Sequence, residues 1–221
     1  MRRVFAPGCA LMLYRPELAA RLHEALERDA GPTAILPTCC RTPPDLEAGA
    51  RVVNVCPGCD RRYRELWAGI STISAWELLA TSTTFSFPDY GGAEMAIHDA
   101  CPTRTERRVH EAVRTLLSRM NIRCVEPRHT RTHAACCGDS FFGLVSDQVV
   151  KHQMTRRARA MPRHDVVVYC VSCVKSMHIG GRRPRYMVDL LFGRETSAEP
   201  VEPSAWHAML DAYIAGTDSS E

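Results

Sequence analysis

The sequence predicts an α/β protein built from two pseudo-symmetric, cysteine-rich units, each with a small parallel sheet that ends in a metal-cluster site. Three observations carry this expectation. Short β-branched runs alternate with stretches of helical periodicity, the pattern of βαβ units and parallel sheets. The order C…CC…CxxC occurs twice within 221 residues. Between the two occurrences lies TSTTFSFPDYGGAE (81–94), dense in turn and breaker residues. The expected division is a first half at 1–88 and a second at 89–221, closing in a helical tail.

In the first half, RVF leads as a short strand to Cys9. Pro16 stands where a helix begins. Leu18, Leu22, Ala25 and Leu26 follow at helical spacing, and Gly31-Pro32 ends the run. AIL (34–36) reads as a strand running into Cys39-Cys40. VVNV (52–55) is another, ending at Cys56, with a helix through Tyr63 and Trp67. The second half repeats the scheme. MAIH (95–98) is a strand, and Val109, Ala112, Val113, Leu116, Leu117 and Met120 share one helical face. IRCV (122–125) is a strand, Phe141 to Met161 reads as one helix, and VVVY (166–169) is the continuous apolar run of a buried parallel strand. Local likeness extends further: VVNVCPGC parallels VVVYCVSC, and WELLA (76–80) parallels VDLLF (188–192).

Composition narrows the function classes. The chain is 45% hydrophobic and 24% charged, with a net charge of +3. Lys151 and Lys175 are its only lysines, and no basic stripe interleaved with aromatics marks a nucleic-acid surface. No apolar run is long enough to span a membrane. At the start, MRRVFAPGCALML is broken by Pro7 and Gly8 too early for a secretory h-region, so a cytoplasmic location is expected. There, disulfides are rare, and eleven cysteines point to metal or redox chemistry. GxGxxG after a strand, a P-loop and a hydrolase elbow are all missing.

The cysteines fall into two sets: Cys9, Cys39, Cys40, Cys56 and Cys59, then Cys101, Cys136, Cys137, Cys170 and Cys173. Most follow directly on expected strands, which places each set at the carboxyl edge of its sheet, where ligands bind in such folds. Cys124 lies inside a strand and reads as structural. Zinc takes four ligands, and each set offers five. Iron–sulfur clusters use thiolates and engage several irons at once, so adjacent cysteines can hold different irons. Gly138 permits the turn that brings both members of the second pair to one side. Amides of a helix starting near Asp139 would favour the anionic sulfur.

The stretches APGCALM, TCC, CPGC, HDACPTR, AACCGDSFFG and CVSCVKSMHIGG, spread over nearly the whole chain, resemble the CCG-type cysteine-rich family. That family includes the disulfide-cleaving subunit of heterodisulfide reductase and a group of lactate-utilisation proteins. The resemblance implies two noncubane 4Fe-4S clusters, one on each set of five, and reduction of a disulfide or similar small molecule between them. It also implies an electron-donor or acceptor protein, ferredoxin-like or a flavoprotein subunit, because the compact ferredoxin run of cysteines is missing here. An electron-transfer subunit without its own substrate and a zinc-stabilised interaction module are the alternatives. The chain departs from the family at Arg41, which replaces the glycine after the first pair. Fifteen residues separate Cys40 from Cys56, against thirty-two between Cys137 and Cys170, so the first half is expected to lack a helix.

His98 and His133 flank cysteines and are candidates to hydrogen-bond a cluster sulfide or protonate a thiolate. Asp99 and Asp139 are expected to cap or orient backbone near the sites. HIGGRRPR (178–185), glycines with arginines, reads as a turn that faces solvent, an anionic substrate or a partner.

Overall fold

The computed structural model describes residues 2–37 and 40–218; Cys39, one of the expected ligands, lies outside them. The chain separates into two compact units, residues 1–86 with 210–221, and residues 87–209.

In the first unit β1 (Arg3–Ala6) leads into a short helix α1 (Cys9–Tyr14) and then α2 (Pro16–Ala30). Pro16 sits at the first turn of α2, and Leu18, Leu22, Ala25 and Leu26 are buried along it. Gly31 stops the helix at φ 78°, a left-handed conformation that glycine adopts without a Cβ penalty. β2 (Ala34–Ile35) follows, then β3 (Arg51–Asn54), α3 (Pro57–Leu66), β4 (Ser71–Ser74) and α4 (Ala75–Ala80). A capping box starts α4: the Ser74 hydroxyl accepts from the Trp76 amide at 3.3 Å, and Glu77 accepts from the Ser74 amide at 3.0 Å. The sheet order is β2-β1-β3-β4, with every pairing parallel.

The second unit holds β5 (Ala93–His98), α5 (Arg107–Arg119), β6 (Ile122–Val125), α6 (Asp147–Arg159), β7 (Asp165–Val168), α7 (Val171–Ile179), β8 (Arg183–Tyr186) and α8 (Met187–Leu191). Its sheet order is β6-β5-β7-β8, again all parallel. Val166, Val167 and Val168 are fully buried, as the continuous apolar run requires of a strand covered on both faces. On α5, Val109, Ala112, Val113, Leu116 and Leu117 form the buried stripe. A last helix, α9 (Pro203–Asp218), begins in the second unit. There the Trp206 ring, 1% exposed, carries the Lys175 ammonium 4.3 Å from its centroid.

Both sheets follow one plan: the chain steps from its first strand outward to the second, then returns past the first to the third. The connections therefore leave neighbouring strands in opposite directions at β1/β3 and at β5/β7, the places where α/β sheets open a crevice at their carboxyl edge. Between β2 and β3 no helix occurs among the described residues, whereas α6 links β6 to β7.

Three local expectations need correction. The helix expected from Phe141 begins only at Asp147. Residues 139–141 instead form a single 3-10 turn, and Gly143 at φ 76° lets Phe142 bridge to Val145. Trp67 terminates α3 as its C-cap instead of continuing it. The arginines of HIGGRRPR are engaged within the chain: residues 183–186 are strand β8, Arg183 pairs with Asp165, Arg185 with Glu195, and Arg182 donates to the carbonyls of Ala158 and Met161.

α6 is gripped closely from two sides. A Cβ at Gly138 would lie 2.8 Å from Met154 Cγ and 2.9 Å from Met154 N. One at Gly180, which ends α7, would overlap Ala158. Among the described residues, no helix is long and apolar enough to cross a membrane.

Candidate metal centre

In the second unit five thiols meet at the carboxyl edge of the sheet. Cys101 opens a 3-10 turn just beyond β5, and Cys170 is the N-cap of α7 just beyond β7. Cys173 lies one turn into α7. Cys136 and Cys137 arrive on the loop after β6. Gly138, with φ 114°, reverses the backbone there, and its amide donates to Cys136 Sγ at 3.3 Å. The left-handed turn expected at this glycine is therefore present. The amide it directs to the sulfur belongs to Gly138 itself.

The sulfurs are linked in a continuous series. Cys101 bonds to Cys136, Cys136 to Cys137, Cys137 to Cys173, and Cys173 to Cys170. This series polarises the thiols. Hydrogen bonds from Cys101 and Cys137, aided by Ser140 at 2.9 Å and the Gly138 amide, hold the Cys136 pKa far below the ordinary thiol value. The partners go the other way: Cys101 and Cys137 are raised by their bonds to Cys136, and Cys173 by its bonds to Cys137 and Cys170. The nest thus already stabilises a thiolate before any metal is considered.

His98, the last residue of β5, is fully buried beside these sulfurs. One of its ring nitrogens and the sulfurs of Cys137 and Cys173 all lie within 4.8 Å of one another, close enough to hold a metal ion. Its Nδ1 accepts from Arg157 Nε at 3.1 Å. A guanidinium has no acceptor, so Nδ1 carries the lone pair and Nε2 carries the proton. Nε2 has no hydrogen-bond partner among the described residues. Burial and the neighbouring Arg157 push the His98 pKa down to about 3, so the ring is a neutral donor. Its companion candidate, His133, is exposed, in a 3-10 turn before the cysteine pair.

Arg157 comes from the C-terminal half of α6 and is only 5% exposed. It also donates to the His129 carbonyl at 2.8 Å, but it forms no ion pair among the described residues. No sequence signal distinguishes it from the other arginines of α6. Its contact with His98 spans 59 residues.

Asp99 holds the approach to the cysteine pair. Its carboxylate takes a bidentate bond from Arg114 at 2.6 and 2.7 Å, the Thr130 hydroxyl at 2.8 Å, the Arg131 amide at 2.7 Å and the Tyr169 hydroxyl at 3.1 Å. Burial alone would raise its pKa, but these bonds outweigh burial and keep it well below the usual carboxylate range. Asp99 thus orients backbone before the site, as expected. Asp139 bonds the His207 ring at 3.1 Å, and that ring stacks on Phe142.

The first unit gathers its thiols at the equivalent edge. Cys56 is the N-cap of α3 and Cys59 lies one turn inside it. Cys59 bonds to both Cys40 and Cys56, which raises its pKa, while the bond from Cys59 lowers Cys56 to about 7. Cys9 opens α1 next to Gly8, where a Cβ would lie 3.0 Å from Cys56 Cβ and 3.4 Å from Cys59 Sγ. Cys124 lies within β6, paired across the sheet with Met95, and burial raises it to about 11. All the described cysteines are free thiols. No protein-family model matches this chain, and no curated protein matches it.

Proposed function

We propose that the chain is an iron–sulfur redox protein of the CCG-type cysteine-rich family, with one 4Fe-4S cluster on each set of five cysteines. Cys9, Cys39, Cys40, Cys56 and Cys59 would hold one, and Cys101, Cys136, Cys137, Cys170 and Cys173 the other. The observation that carries this reading is the surrounding of the second set: a fixed N–H of His98 with no partner and a buried Arg157 without a carboxylate, beside five linked sulfurs. A buried cation and a buried donor both cost free energy unless something anionic meets them. A sulfide-rich, thiolate-bound group answers both.

A single zinc fits less well. It would need a lone pair from His98, yet Nδ1 is committed to Arg157 and Nε2 holds the proton. It would also leave part of the five-sulfur series unused. Under this reading His98 donates a hydrogen bond toward sulfur and does not act as a ligand or as an acid.

A bound cluster supplies electrons one at a time, and a pair of clusters suits the two electrons and two protons that convert a disulfide into two thiols. We therefore favour disulfide reduction, fed by a ferredoxin-like or flavoprotein partner, over a pure electron-transfer role. Anaerobically purified protein should contain about eight irons with matching acid-labile sulfide. Stoichiometric zinc without sulfide would overturn the proposal. Turnover of small disulfides with a reduced dye separates the enzyme from the electron carrier.

A further inference from the structure

The second unit contains a cavity of about 560 Å³ whose wall includes Cys136. Its other lining residues include Arg104, His129, Phe141, Arg156 and Arg157. We propose that this cavity binds a small molecule through an anionic head group, a carboxylate or a phosphate, held by the arginines and presented beside Cys136.

Charge balance makes the case. Three guanidinium groups line one concavity, and no Asp or Glu lines it with them. Neither Arg104, Arg156 nor Arg157 forms an ion pair among the described residues. Other arginines of this unit do: Arg114 with Asp99 and Glu126, Arg183 with Asp165, Arg185 with Glu195. Asp99, which influences Arg157 electrostatically, is already saturated by Arg114, Thr130, Arg131 and Tyr169. Two of the arginines are also positioned in advance. Arg157 is pinned by His98 and the His129 carbonyl, and Arg104 Nε donates to the Ala134 carbonyl at 2.6 Å, on the loop that carries the cysteine pair. Arg157 additionally faces the sulfurs, but Arg104 and Arg156 have no such partner. Gathering like charges without a counterion is unfavourable. A planar guanidinium fork matches carboxylate and phosphate oxygens.

Size and lining define the rest of the ligand. The volume falls in the range of small-molecule sites. Phe141, 40% exposed, offers an apolar wall for the ligand's body. Arg104 and Arg156 carry the contact with the anion, while Arg157 is shared with whatever the cysteines hold. Only the purpose of binding, to bring a reacting group to Cys136, rests on the redox reading above.

The test is isothermal titration calorimetry on the full chain, with malonate and inorganic phosphate as probes and malonamide as the uncharged control. Saturable binding of either anion, with none of malonamide, is expected. The exposed pair Arg104→Gln and Arg156→Gln, combined and checked for folding by circular dichroism, should weaken it about a hundredfold, as loss of two charge-assisted bonds implies. Arg159→Gln, outside the lining, should leave it unchanged. Absence of saturable binding up to about 10 mM overturns the proposal, as does undiminished binding in the double variant. Iron content is measured on the same samples. Iron-free protein that binds malonate sinks the redox reading alone, and iron-loaded protein that binds neither anion sinks this proposal alone.

Discussion

The two units share a strand order and differ in what surrounds their cysteines among the described residues. In the second, the segment from β6 to the pair is tied to the sheet by Asp99, Arg114 and Thr130, and Met154 of α6 packs against the turn at Gly138. In the first, Pro7 stands where the second unit has Asp99, two residues before the first cysteine of the set. Residues 41–50 between Cys40 and β3 form no helix. Like sheets thus support one site braced by buried polar bonds and another where the Cys56 and Cys59 side chains crowd Gly8. The lesson is that like sheets place the sulfurs at like edges, while the polar bracing around them differs.

The largest expected break in this comparison comes from the pair itself. If each set of cysteines holds a cluster, as proposed, Cys137→Ala should empty the second unit and leave the first loaded, halving the metal per chain by elemental analysis. Loss of all metal would show that the two sites load together.

Asp99→Ala comes next. It removes a fully buried carboxylate and leaves the part-buried Arg114 with Glu126 alone, which costs about 3 kcal/mol in chemical denaturation through the lost charge-assisted bonds. Pro7→Ala, at the matching place, should cost far less. The same network sets an acid limit. Asp99 and Glu126 both have pKa values depressed in the folded protein, for Asp99 chiefly through Arg114 against the opposing effect of burial, and for Glu126 through Arg114 and Thr130 against the same effect. Groups of this kind contribute stability above their unfolded pKa, near 4, and lose it as pH falls toward the folded value. Melting temperature should therefore drop below about pH 4, and Asp99→Asn should flatten that slope.

Gly138→Ala forces a side chain into φ 114° and against Met154, a strain of roughly 1–3 kcal/mol confined to the second unit. Gly8→Ala is its counterpart in the first, at φ 82° against Cys56. If both sites load as proposed, Gly8→Ala, which crowds Cys56 and Cys59 directly, should lower the metal of the first site more than Gly138→Ala lowers that of the second. Smallest of all, Cys124→Ser should cost about 1 kcal/mol for burying a hydroxyl and leave metal content unchanged.

Much of this arrangement was legible in the residues. Helical periodicity located α2 and α5, β-branched runs located β3 and β7, the short run MAIH located β5, and the unequal cysteine spacing foretold that no helix occurs between β2 and β3 among the described residues. The turn at Gly138 followed from the need to bring two neighbouring thiols to one side. The edge strands β4 and β8 were not legible, because STIS and RPRY are short and carry polar residues that a tertiary partner satisfies, such as Asp165 for Arg183. Nor were the residues that give the second site its character. His98 was visible beside a cysteine, but its locked tautomer depends on Arg157 from a helix 59 positions away. Contacts of that range leave no periodic trace.

The double grip on α6 has a consequence for how the molecule breathes. Met154 and Ala158 lie one turn apart, yet one abuts the cysteine turn at Gly138 and the other the end of α7 at Gly180. Neither contact leaves room for the helix to slide without displacing its neighbour. Opening of α6 should therefore be cooperative with departure of the cysteine turn and with loosening of α7, whose first turn carries Cys170 and Cys173. In hydrogen-exchange terms, the amides of residues 150–158 report on the seating of the cysteines, although none of those residues is a cysteine. Filling the nest should slow their exchange together, as one block, while the helix-free 41–50 segment of the first unit keeps its own faster rate.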